Sequence, residues 1–216
     1  MLSLSQARRF TAALALALVC SASSASTFAV HIQDAAGAPV RDAVVYLLPV
    51  GAAKPPATPA RAVIEQQDRE FIPFVTAVRT GTAVTFPDRD QLMHHVYSFS
   101  TARSFQIKLY EGDPPNPIVF DKPGIVALGC NIHDWMQAYI AVVDTPYFAV
   151  SDEQGNARVE ALPAGSYEAR AWHPHSANEW QQAQEMSDAH GSEARIVMNT
   201  RTPLRKLKPP LDPSKY

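Results

Sequence analysis

The sequence predicts an all-β protein arranged as a Greek-key β-sandwich, with extra strands or a second small β-sandwich contributed by its two flanks. Three observations predict it. Short runs of alternating or β-branched apolar residues recur from end to end, Gly, Pro, Asn and Asp punctuate nearly every gap, and only one stretch has a composition suited to a helix.

Taken in order, the predicted strands are Phe28 to Ile32, Ala43 to Leu48, Phe74 to Val78, Ala83 to Phe86, Val96 to Phe99 and Phe105 to Tyr110. Ile125 to Leu128, Ala138 to Val143, Ala157 to Val159, Tyr167 to Trp172 and Ala194 to Met198 complete the series. Turn residues fall between them, as at Gly81, Pro87-Asp88, Pro123-Gly124 and Gly155-Asn156. The one helical expectation is a polar surface helix or loop within Ala177 to Asp188. Ala52 to Ala60 reads as a flexible crossing, and Leu204 to Tyr216, with three prolines and several lysines, as an extended tail.

The N-terminus carries Arg8 and Arg9, then an apolar run from Phe10 to Cys20 and small residues up to Ala25. This is the layout of a secretory signal peptide over residues 1–25, and it predicts export to the periplasm. The apolar run is shorter than the roughly 20 residues of a spanning helix, and no later segment is long enough, so no membrane span is expected. Val19 before Cys20 argues against a lipid anchor, and the paired arginines lack the rest of a twin-arginine pattern. A formal charge of -2 with no basic run before the tail argues against nucleic-acid binding.

Of two cysteines, one lies in the signal segment. The mature chain therefore has Cys130 alone in an oxidising compartment, where it is either a buried inert thiol or a metal ligand. Its neighbours favour the ligand. A predicted strand delivers Cys130 to a tight loop, and the spacing Cys130-x-x-His133-x-x-Met136 turns a thiolate, an imidazole and a thioether toward one point. These are donors for a soft, copper-sized site. Upstream, Met93-His94-His95-Val96 places a second imidazole at the start of another strand. Strand alternation turns only one of His94 and His95 inward.

With these residues in place, the segment from about Ala62 to Asp144 resembles a cupredoxin, with a ligand loop of the short amicyanin type. Gly81-x-x-Val84, the His-x-Val after a polar turn, and Pro123-Gly124 ahead of the cysteine strand add to the resemblance. It implies one copper ion held by His94, Cys130, His133 and Met136 in a blue-copper arrangement. His95 stands where cupredoxins usually have asparagine; it either braces the loop through a ring nitrogen or competes as ligand. The resemblance further implies that the edge of His133 lies near the surface, with Trp135 and Pro146 as collar residues for a redox partner. Met93, turned oppositely to His94, and Asp134, read as solvated, are not expected in the site. His173, His175 and His190 read as surface or loop histidines.

The flanks resemble a carboxypeptidase-regulatory or transthyretin-like β-sandwich. The carriers are Val30-His-Ile-Gln-Asp-x-x-Gly37 through Tyr46, and Asp152-Glu-Gln-Gly155 through Leu162-Pro-x-Gly165-x-Tyr167. The expected division is therefore a signal peptide (1–25), the first part of a flanking sandwich (26–60), a cupredoxin domain (61–145), the second part of the flanking sandwich (146–202) and a Pro/Lys tail (203–216). The expected function is that of a non-enzymatic one-electron carrier serving a periplasmic dehydrogenase or a cytochrome. A Cu(I) carrier or sensor is the alternative, and a copper enzyme with an open position ranks last.

Overall fold

A computed structural model describes residues 26–51, 60–114, 116–186 and 191–200. Alternation dictates the first element. In β1 (Ser26–Gln33) the side chains of Phe28, Val30 and Ile32 are buried while those between them are partly exposed, as a strand with one face on a core requires. The chain continues through β2 (Val44–Pro49), β3 (Arg61–Val63), β4 (Glu65–Gln67), β5 (Glu70–Ile72), β6 (Val75–Arg79), β7 (Thr82–Thr85), β8 (His94–Phe99) and β9 (Ser104–Tyr110). It then forms β10 (Ile118–Phe120), β11 (Gly124–Gly129), β12 (Gln137–Val143), β13 (Phe148–Val150), β14 (Asn156–Leu162), β15 (Gly165–Trp172), β16 (Trp180–Met186) and β17 (Ser192–Val197). Among the described residues there is no helix. The molecule is all-β.

Strands from the two flanks make two sheets, ordered β14-β1-β17 and β13-β2-β15-β16. Between them lies one apolar core that includes Phe28, Ile32, Leu47, Leu162, Ala169 and Ile196. Gly155 closes this sandwich against β1: it sits at φ +75, and a side chain there would meet the Ile32 carbonyl oxygen at 2.3 Å. Only glycine meets both demands.

The central strands make a five-stranded sheet, β6-β12-β11-β8-β9, a three-stranded sheet, β10-β7-β3, and the hairpin β4-β5. Phe71, Val84, Phe86, Phe120, Val126 and Ile140 fill the core of this second sandwich. A third, smaller cluster joins the two units: Val44, Val75 and Ala141 are buried among Tyr46, Phe74, Tyr139 and Trp172. The Tyr139 ring meets Phe74 and Trp172 there in edge-to-face contacts at 5.6 and 5.9 Å.

The expected helix is not formed. Trp180–Met186 is instead an antiparallel edge strand, paired residue for residue with Gly165–Ala171 of β15. Its polar run suits an edge whose outer side faces water as well as it suits a surface helix, and pairing to β15 decides between them. β3, β4, β5, β10 and β13, of three residues each, were too short to show a period. The signal segment, most of the Ala52 to Ala60 crossing, His190 and the tail lie outside the described residues. His173 follows β15 in a loop, as expected, but it is buried rather than at the surface.

Candidate metal centre

β11 and β12 pair in register from Gly124↔Val142 to Gly129↔Gln137, so the chain between them is a seven-residue loop, Cys130 to Met136. Two backbone bonds tighten it. Cys130 N–H donates to the Met136 carbonyl at 3.3 Å, and Met136 N–H donates to the His133 carbonyl at 2.9 Å. Gly129 lets β8 approach the base of the loop, because a Cβ there would lie 2.8 Å from the Tyr97 ring. His94 opens β8 beside this loop.

The fold thus brings three of the four residues named from the sequence together. One donor atom from each of His94, Cys130 and His133 lies within 4.8 Å of the others, and all three side chains are buried. Cys130 Sγ is 3.8 Å from His133 Nδ1, and the His94 and His133 rings are 5.0 Å apart by centroid. Met136 is buried at the end of the same loop. Met93 and Asp134 are exposed. His95 falls outside the three-residue group. Its ring lies tilted against that of Tyr97, with centroids 5.5 Å apart, and the Gln106 amide donates to its Nε2 at 2.8 Å.

His94 is 0% exposed, and its two ring nitrogens have different fates. Nε2 lies 2.7 Å from the Asp90 carboxylate, whereas Nδ1 is buried without a hydrogen-bond partner. Nδ1 of His95 is also buried and unpartnered, but His95 is not one of the three residues whose donor atoms converge. A buried polar atom left unpaired costs about 1–3 kcal/mol, so the His94 Nδ1 is the kind of orphan that a metal ion relieves.

Asp90 and its neighbour Asp88 carried no signal in the sequence analysis. Asp90 is fixed by the turn of the β4-β5 hairpin, where Asp68 and Arg69 both take left-handed φ values of 54 and 58. Such a two-residue turn suits a tight hairpin. Here it also aims the N–H groups of Asp68 and Arg69 at the Asp90 carboxylate, at 2.7 and 2.8 Å. Asp88 accepts the Asp90 N–H at 2.9 Å and stands 3.8 Å from His94 Nε2, with its second oxygen buried and unpartnered. An Asp-x-Asp four residues ahead of a candidate ligand histidine was the available clue.

The electrostatics follow from these contacts. Burial pushes the Cys130 thiol up, but the His94 ring and the backbone N–H groups of His95, Ile132 and His133 outweigh it, so its pKa is lowered. Burial pushes His94 down, and Cys130, Asp90 and Asp88 together reverse this, raising it. His133 is lowered, by burial first and then by His94 and Arg69. Burial raises Asp88; for Asp90 the same burial is overcome by the Arg69 and Asp68 N–H groups and by His94, and its pKa is lowered.

Two collar expectations are corrected. His133 is only 2% exposed, because the Trp135 ring lies 5.1 Å from it, and Trp135 is in turn held by its N–H bond to the Arg69 carbonyl and by the Arg69 guanidinium over its face. Pro146 is exposed but follows the far end of β12, a strand of seven residues and so roughly 23 Å long, away from the loop.

The fold and site define an all-β sandwich protein with a buried imidazole-thiolate donor group. No protein-family model matches the chain, and no curated protein matches it. Among solved structures it is similar to a copper-containing nitrite reductase from Thermus scotoductus, at 23% identity over 44% of this chain and 25% of that one, with a TM-score of 0.36. The chain thus spans about a quarter of that enzyme's length. It is also similar to a variant of amicyanin (16% identity, 39% of this chain, 83% of that one, TM-score 0.36) and to a purple cupredoxin from Nitrosopumilus maritimus (19%, 39%, 99%, 0.33).

Proposed function

We propose that this chain is an exported mononuclear copper protein that carries one electron at a time, with His94, Cys130, His133 and Met136 as its ligands. The convergence of two imidazoles and a thiolate within 4.8 Å in a buried pocket carries this reading. The donor chemistry fits copper, since thiolate and thioether suit Cu(I) and imidazole also suits Cu(II). Copper held there supplies a one-electron couple.

The chain's own residues do the rest. The His94 ring and the N–H groups around Cys130 favour its thiolate form, Asp90 orients His94, and the loop's backbone bonds fix His133 and Met136 relative to both. A frame held this firmly changes little between oxidation states, which favours fast electron transfer. Burial of all four side chains supports retention of the metal over its delivery to another protein. A copper-delivery protein needs its ligands within reach of the recipient.

The partner in this reading is a redox protein of the periplasm, a dehydrogenase or a cytochrome, and residues 1–25 direct export. No helix among the described residues is long and apolar enough to cross a membrane. The central sandwich is read as an insertion in the flanking one, which packs against it and offers a docking surface of its own. The test is the visible and electron-spin-resonance spectrum of the Cu(II)-loaded mature protein beside Cys130→Ser, His94→Ala and His95→Ala. An intense thiolate-to-copper band that disappears with Cys130 and His94 but survives loss of His95 is expected. Absence of the band in the unaltered protein sinks the reading.

A further inference from the structure

His94 is the donor whose surroundings are most elaborately built. Its Nε2 meets Asp90 at 2.7 Å, Asp90 is gripped by two N–H groups from a strained turn, and Asp88 adds a second carboxylate at 3.8 Å whose side chain is fully enclosed. A hydrogen bond to one backbone carbonyl would have oriented the ring at far lower cost. Enclosing carboxylates is expensive unless they are paired, and one oxygen of Asp88 is not. The same three side chains form a second group of potential metal ligands. Yet the Asp90 oxygen nearest His94 already takes the Arg69 N–H, and 2.7 Å is the length of a charge-assisted hydrogen bond. The arrangement is a brace on the ring.

Two consequences follow from chemistry. An Nε2–H donated to a carboxylate leaves the lone pair on Nδ1, the nitrogen that has no partner. Negative charge close behind a ligand also favours the more positive metal state, because the interaction grows with the ion's charge. We propose that Asp90 is a positioning residue that commits His94 to binding through Nδ1, and that the enclosed Asp88-Asp90 pair biases the centre toward its oxidised form. This rests on the copper reading above for its second half only.

The first half is tested without metal. Long-range proton-nitrogen correlation spectra of the 15N-labelled apo-protein should show His94 as the Nε2–H tautomer, and Asp90→Ala should mix or reverse the tautomers. An Nδ1–H tautomer in the unaltered protein, or an unchanged tautomer in Asp90→Ala, overturns the positioning role.

The second half is read from Cu(II) and Cu(I) affinities and the potential of Asp90→Asn and Asp88→Asn, with circular dichroism checking that each is folded. Removing a group that hydrogen-bonds a metal ligand costs roughly 10–100-fold in affinity. Asp90→Asn should weaken Cu(II) at least ten-fold more than Cu(I), which raises the potential by about 59 mV per ten-fold for one electron. Asp88→Asn, which touches no ring nitrogen at hydrogen-bond distance, should shift it the same way by less. Equal losses for both oxidation states, or a falling potential, overturn the bias. If the unaltered protein binds no copper, the functional reading fails while the tautomer experiment still decides the brace.

Discussion

His173 and His94 are both sealed from solvent, at 7% and 0% exposed, one beside the flanking sandwich and the other at an end of the central one. Around His173 the hydrogen bonding is complete: its Nδ1 accepts the His175 N–H at 3.1 Å, and the Arg41 backbone supplies a further bond. Around His94 it is incomplete: Asp90 holds one nitrogen, and the other has no well-formed hydrogen bond although the ring stands against the Cys130 thiol. Burial alone therefore does not distinguish a structural histidine from a ligand. An unpaired nitrogen together with a neighbouring thiol and second imidazole does, and His94 has both where His95 has only the first. The cores repeat the contrast, since the central one includes the thiol of Cys130 and adjoins His94 and His133, whereas the flanking core holds no cysteine or histidine.

The largest expected effects separate the two cores. Phe28→Ala and Phe86→Ala should each cost about 3–5 kcal/mol, the usual range for emptying a fully buried Phe site. Only Phe86→Ala should also weaken copper binding, because the Phe86 ring belongs to the same core cluster as Cys130 and Met136, whereas Phe28 belongs to the flanking core. Chemical denaturation with and without Cu(II) reads both. Equal loss of copper affinity in the two variants would erase the distinction.

The histidines differ in pH response. Burial, then His175, pushes His173 down to about 4, with Asp42 and the Arg41 backbone opposing. A folded pKa below the unfolded value of about 6.5 means that the unfolded chain binds more protons between them. The stabilisation is complete above about 6.5 and is lost as pH falls toward 4, by at most about 3 kcal/mol. His173→Gln should flatten that decline in apo-protein melting curves. Identical pH slopes in the two proteins would contradict the assignment.

Metal should act on the other histidine alone. Free Cu(II) held 100-fold above its dissociation constant should add about 2.7 kcal/mol to stability. His94→Ala should abolish the gain, which a melting curve with and without chelator shows, and His173→Gln should leave it intact. The smallest expected effect is at Gly129→Ala. Its new methyl group meets the Tyr97 ring and should cost about 1–3 kcal/mol, an overpacking penalty. Most of that should return in the double variant with Tyr97→Ala.

What could be read from the sequence was local. Cys130, His133 and Met136 lie within one seven-residue loop, whereas alternation did not separate His94 from His95: both are buried, because the pairing of β8 shifts register between His94 and Val96. Strands long enough to show a period, such as Ser26–Gln33 and Gly165–Trp172, were legible for the same reason. What escaped depends on residues brought from elsewhere. Asp90 matters because a hairpin turn more than 20 residues earlier grips it. His133 is covered because Trp135 reaches Arg69, 66 residues away. Trp180–Met186 is a strand only because β15 lies beside it. His173 is enclosed by Arg41 and His175, one of them on a remote loop.

The pairing of β1 has a bearing on how the polypeptide is made. β1 lies between β14 and β17, so Val30 finds its partners at Ala157 and Ala194, near the end of the chain. Until those residues leave the ribosome, the first strand has no neighbour. The central sandwich needs nothing later than Val143 for its five-stranded sheet and can form first. Once it has, β2 and β13 emerge side by side, with Val44 opposite Val150, so the intervening hundred or so residues act as a short closed loop. With the inner unit formed, the two halves of the outer sandwich start close together, so a defect in the inner unit should also hinder assembly of the outer one.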